Sequence, residues 1–165
     1  MEPCFNFPRA GRLAVLLATL AAGVAGAGEP SSADPAIEHG RYLAQVAGCN
    51  DCHTPGYPEA GGKVDEKHWL TGSPLGWRGP WGTTYPSNLR LVADGMSETQ
   101  WLRTAREERR PPMPWFNLRA MTDADLTAIY RYLRHLGAAG EPAPAYVPPE
   151  QTPKPPYVEF PAAPQ

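Results

Sequence analysis

An all-α fold of three main helices joined by long loops is what this chain of 165 residues predicts. Three observations carry it. Three segments pair helical apolar spacing with cap residues at their starts, and no run alternates apolar and polar residues firmly enough to count as a strand. The long stretch from Thr54 to Met96 is rich in Gly, Pro, Trp and Tyr, with only weak local structure. A loop of that length counts against a compact domain unless something besides the helices supplies a core.

The first helix starts at Asp34, which can cap it, with Pro35 at its first position. It carries Ile37, Tyr42, Leu43 and Val46 up to Gly48. Ser97 with Gln100 forms a capping box for the second, which carries Trp101, Leu102 and Ala105. Thr122 with Asp125 opens the third, where Leu126, Ile129, Tyr130 and Leu133 recur at helical spacing until Gly137 stops it.

Directly after the first helix comes Cys49-Asn50-Asp51-Cys52-His53. Zinc would need a second ligand pair at matched spacing, and no cysteine follows Cys52. A thioredoxin-like dithiol would need a strand–helix–strand setting, which the Pro- and Gly-rich flanks do not offer. Two thiols three residues apart can instead each add across a vinyl group of one haem edge, after which the next residue swings under the iron. The spacing therefore predicts one haem c, covalent through Cys49 and Cys52, with His53 as the proximal ligand. A buried porphyrin would supply the core that the loop lacks.

The compartment agrees. Arg9 and Arg12 precede an uncharged stretch, and Ala25-Gly26-Ala27 is the small-x-small pattern of a signal peptidase site, so residues 1–27 read as an export signal, with an uncleaved anchor as the alternative. The stretch is shorter and richer in Ala and Gly than a membrane span requires, so no span is expected after signal removal. Cys4 leaves with the signal, and the remaining two thiols must bridge each other or be consumed by haem in an oxidising compartment. Of 15 basic and 17 acidic residues, losing Glu2, Arg9 and Arg12 leaves 13 and 16, a net charge of −3 that attracts neither nucleic acid nor an anionic membrane. Residues 141–165 hold nine prolines and read as an extended tail with a polyproline II bias, unable to sustain a helix or internal strand. Tyr146, Tyr157 and Phe160 could strap it to the domain or meet a partner.

Three methionines compete for the other face of the iron. Met96 and Met121 each precede a helix cap, where they pack against Trp101 and Leu126 as hydrophobic staples. Met113 has no such structural role. It lies in Arg110-Pro111-Pro112-Met113-Pro114-Trp115, where prolines fix the backbone and hold the thioether at low entropic cost. It is the expected sixth ligand. The alternatives are Met113 as a core filler with His68, His39 or His135 on the iron, or an open site. Glu107 to Arg110 form a charged run beside this loop, read as a solvated helix end.

The succession of helix, Cys-x-x-Cys-His, long loop, Pro-Met-Pro and Thr122-Asp123-Ala124-Asp125-Leu126-Thr127-Ala128-Ile129-Tyr130 resembles class I cytochromes c, especially single-haem domains that accept electrons from bacterial periplasmic dehydrogenases. The resemblance covers Asp34 to Gly137, giving a domain over 34–138. It implies a cytochrome c fold wrapped around one covalently attached haem, and a periplasmic one-electron carrier rather than an enzyme, with redox proteins as donor and acceptor. It implies that Gly40, Tyr42 and Leu43 cross the last helix near Ile129, Tyr132 and Leu133, the glycine allowing close approach. Tyr85-Pro86-Ser87-Asn88-Leu89 looks like the family's Ser/Thr-Asn-Ile string, so Asn88, Arg78, Trp81 and Tyr85 become candidates to face the haem propionates. Alternatively Trp69, Trp77 and Trp81 simply cover the porphyrin. His53 is expected to donate its second N–H to a carbonyl of Thr54-Pro55-Gly56. A His/Met iron with both axial positions filled exchanges electrons and leaves no place for substrate. Two other classes stay open: a haem-based sensor with Met113 absent or displaceable, and an assembly subunit with the tail as its handle.

Overall fold

The computed structural model describes residues 34–161; the expected export signal lies outside the described residues. Six helices and a small sheet follow in the order α1 (Pro35–Val46), α2 (Cys49–His53), β1 (Gly76–Gly79), β2 (Gly82–Thr84), α3 (Leu89–Asp94), α4 (Glu98–Ala105), α5 (Trp115–Ala120), α6 (Asp123–Leu136) and β3 (Tyr157–Glu159), with one 3₁₀ turn at Glu66–His68. Among the described residues no helix is long and apolar enough to cross a membrane.

The three predicted helices are α1, α4 and α6, and their punctuation is as the sequence reads. The Asp34 carboxylate accepts from the Ala36 N–H at 2.9 Å, with Pro35 at the first position. Reciprocal capping boxes close the starts of α4 (Ser97 with Gln100) and α6 (Thr122 with Asp125). Gly137, at φ 70°, ends α6 in a conformation that glycine adopts without a steric penalty.

The core forms where α1 lies across α6. Ala44, Trp69, Leu70, Ala93, Trp101, Ile129, Tyr132 and Leu133 make one buried cluster. Gly40 is the contact point: a Cβ there would fall inside the Ala128 carbonyl and 2.8 Å from the Tyr132 Cβ, so only glycine lets the helices meet. Leu43 packs on the cluster as expected. Tyr42 does not; it is 57% exposed and stacks on His39. Met96 and Met121 pack against the cluster, consistent with their staple role.

Two expectations need correction. The Thr54–Met96 stretch is not structureless: it holds the 3₁₀ turn, β1, β2 and α3. The chain also has strands, in a sheet ordered β2-β1-β3, where β1 and β2 form an antiparallel hairpin and β3 runs parallel to β1. The tail is thus more than an extended segment. It supplies an edge strand at Tyr157–Glu159, and Val147 exchanges both backbone hydrogen bonds with Thr83 at 2.7 and 3.0 Å. Its prolines flank these pairings rather than interrupt them, as an edge strand permits. Strands of three or four residues, rich in glycine and paired across some 80 positions (Gly76 with Tyr157), carry no period-two signal.

Strapping is the tail's arrangement. Phe160 packs on Trp77 and Trp81 at ring centroid distances of 5.8 and 5.4 Å. The Arg78 guanidinium donates to the Gln151 and Pro149 carbonyls and faces Glu159 at 3.6 Å.

Candidate haem site

Gly48 takes φ 73° between α1 and α2, a left-handed turn that starts the short helix carrying both cysteines and His53. Cys49 and Cys52 are free thiols on this one helix, not a disulfide. Burial pushes the Cys49 thiol up to about 11 and, with Asp51 nearby, raises that of Cys52 as well. Before haem attachment both would therefore be thiols rather than thiolates at neutral pH.

His53 is buried and held at Nδ1, 2.7 Å from the Ser87 carbonyl. A carbonyl only accepts, so Nδ1 carries the proton and Nε2 keeps its lone pair. Burial holds the His53 pKa below the usual imidazole value, partly offset by this hydrogen bond, which favours the neutral ring that a metal requires. The partner is not in Thr54-Pro55-Gly56 as expected. The chain returns after β2, and Ser87, two residues beyond Tyr85, brings its carbonyl to the ring.

Several bonds fix this corner. The Thr54 hydroxyl donates to Asn50 Oδ1 at 2.7 Å and accepts from the Leu70 N–H at 2.7 Å. The Leu70 carbonyl accepts from the Leu89 N–H, and the His53 carbonyl from the Gly72 N–H. Thr54 and Leu70, unremarkable in the sequence, thus tie α2 to the strand exit and α3. The only sequence signal for this tie is the polar residue directly after Cys-x-x-Cys-His.

The four propionate candidates separate. Asn88 is buried and caps α3 through its carbonyl oxygen to the Leu91 N–H, while its amide donates to the Ala139 and Glu141 carbonyls. Arg78 is engaged by the tail. Asn88 spends its side chain on backbone partners, and Arg78 commits two of its five N–H donors to tail carbonyls. Tyr85 is half-buried. Trp81 and its neighbour Trp77 each have a buried indole N–H without a hydrogen-bond partner. Trp69 belongs to the core, donating to the Val64 carbonyl and meeting Tyr57 edge-on.

Met113 is half-buried at the entrance to α5, its carbonyl accepting from the Trp115 N–H at 2.9 Å. His39, His68 and His135 are all exposed, and His39 is paired with Asp125 at 2.9 Å.

Free paired thiols, a buried imidazole with Nε2 available and buried indole donors lacking partners form a donor set that fits haem c. The haem c is covalent through Cys49 and Cys52. No curated protein and no solved structure matches this chain. The family model for cytochrome c matches residues 37–137, more than half of the sequence and nearly the whole span from α1 to the end of α6. The chain belongs to the cytochrome c family, whose members are haem-based electron carriers.

Proposed function

We propose that this chain is an exported, periplasmic one-electron carrier whose haem iron is held by His53 and Met113, passing electrons between redox proteins such as a dehydrogenase and its acceptor. The observation that carries the reading is the fixed His53 ring, with Nδ1 committed to the Ser87 carbonyl and Nε2 unprotonated on the helix bearing the two thiols. Met113 is favoured for the opposite face because the rival histidines are exposed while it is half-buried between helix-breaking prolines.

When bound, the haem supplies the one-electron couple. The residues of this chain do the rest. Ser87 orients the His53 imidazole and raises its basicity as a ligand. A thioether from Met113 is a soft, uncharged donor, and with burial it favours the reduced state. Trp77 and Trp81 offer indole N–H groups that can only donate, which suits carboxylates at the cofactor rim. The tail's strap over these indoles keeps water from them.

The test is the exported protein, produced with haem-attachment machinery and examined by mass and absorption spectroscopy. The expected result is one haem per chain, loss of the leader, and a weak far-red sulfur-to-iron band in the ferric form that Met113→Ala abolishes. A colourless chain of bare polypeptide mass overturns the proposal. Absence of the band together with carbon monoxide binding to the untreated ferrous protein replaces the carrier with a ligand-binding sensor.

A further inference from the structure

We infer that the C-terminal strap is a positioning element for the methionine loop, acting through Tyr146 on Arg110 beside the hairpin's own Thr84–Pro111 bond, and so governs how firmly Met113 is held; the inference rests on the His/Met ligation proposed above.

The loop's own chemistry creates the need. In Pro111-Pro112-Met113-Pro114 three of four residues have no backbone N–H, so the loop has a single main-chain donor, at Met113, with which to be tied down. It must be held mainly through its carbonyls and its flanking side chains. Two such ties are present, one from the hairpin and one from the strap. The Thr84 hydroxyl of β2 donates to the Pro111 carbonyl at 2.9 Å. The Arg110 guanidinium lies 4.1 Å above the centre of the Tyr146 ring, a cation–π contact.

Tyr146 is itself fixed at both ends. Its hydroxyl donates to the Trp81 carbonyl at 2.8 Å, and the next residue, Val147, is paired on both sides with Thr83 of β2. The strap, the hairpin and the methionine loop therefore share one set of contacts. Thr83 holds the strap while its neighbour Thr84 holds the loop. Gly82 sits at the junction with φ 94°, and a side chain there would meet the Val147 carbonyl and the Tyr146 ring. The matched family region ends at residue 137, so Tyr146 belongs to a segment beyond it. This segment extends the domain to supply a support that the proline-rich loop cannot make for itself.

The experiment compares wild type, Tyr146→Ala, Tyr146→Phe and Arg110→Ala as haem-loaded full-length proteins. Three quantities are read: the affinity of the ferric form for added imidazole, the temperature at which the far-red sulfur-to-iron band is lost, and the rate of tryptic cleavage at Arg109. Tyr146→Ala and Arg110→Ala should each bind imidazole about two- to five-fold more tightly, because the competing thioether is less well held. Each should lose the band at lower temperature and be cut faster. A fifth protein carrying Tyr146→Ala and Arg110→Ala together should be no worse than Tyr146→Ala alone, since the ring that Arg110 contacts is already gone. Tyr146→Phe keeps the ring face and loses only the hydroxyl's bond to the Trp81 carbonyl, so it should fall between wild type and Tyr146→Ala. Should Tyr146→Ala fail to fold, Arg110→Ala carries the test alone, because its side chain is exposed. A wild-type band with unchanged imidazole affinity and band stability in both alanine variants overturns the inference and leaves the ligation reading intact. A wild type without the band overturns both.

Discussion

The packing of α1 against α6 and the packing of the strap against the hairpin solve the same problem with different physics. The helices meet over a buried apolar face, at a glycine, with little polar exchange between them. The strap is held mostly by hydrogen bonds: Val147 with Thr83, Gly76 with Pro156, Phe160 with Arg78, and the Arg78 side chain with two tail carbonyls. The first contact is dense and intolerant of added volume. The second is shallow and distributed, so that each part contributes little and no single one is decisive. Stability should therefore concentrate in the helix pair, and tuning of the site in the strap.

The sharpest way to break that contrast is at Gly40. Gly40→Val would force a branched side chain into the Ala128 carbonyl and the Tyr132 stem, and should cost about 3 kcal/mol or more. Denaturant unfolding of the haem-loaded protein measures it; a loss below about 1 kcal/mol would mean the helices can separate cheaply. Next is Arg90, which is buried and gathers the carbonyls of Lys67, Leu136 and Gly137, the last two at the end of α6. Arg90→Met keeps the stem and strips these acceptors of their donor, for an expected loss of about 2–3 kcal/mol in the same unfolding experiment. On the strap side, Phe160→Ala should cost only about 1–2 kcal/mol, because the ring is half-buried. Its clearer mark should be in the emission of Trp77 and Trp81, shifted toward that of wetter indoles. An unfolding loss at Phe160 equal to that at Gly40 would erase the distinction between the two regions.

The same distinction explains what can be read from the sequence. The ends of α1, α4 and α6 are set by residues within four positions of one another, as at Ser97 and Gln100, so caps and apolar spacing suffice. The haem motif is contiguous and legible for the same reason. Trp77 opposite Val158 and Thr83 opposite Val147 are instead partners across more than 60 positions, in strands too short for alternation to register. The Ser87 carbonyl that holds His53 is illegible on stronger grounds, because every residue carries a carbonyl and none announces itself. Asn88 stands out in the sequence as a polar residue in a family-like string. Its chemistry there is that of a helix cap and a clamp on the chain leaving α6.

The smallest effect lies on the solvent side of the helix pair, where α1 and α6 also meet through His39 and Asp125 at 2.9 Å. The Asp125 carboxyl is held below the usual aspartate value, first by His39 and then by the Thr122 hydroxyl. A carboxyl depressed in the folded state contributes stability that is present above the unfolded value near 3.8 and is lost as pH falls from there through the folded value. The contact should therefore contribute at neutral pH and be lost only in acid, and the exposed position keeps that contribution small. His39→Ala should move the Asp125 titration, followed by carbon-detected NMR of the side chain, upward toward the ordinary value while leaving neutral-pH stability almost unchanged. An unmoved titration would assign the depression to the capping box at Thr122 alone, making the polar rim of the helix pair a local feature of α6 rather than a second tie between α1 and α6.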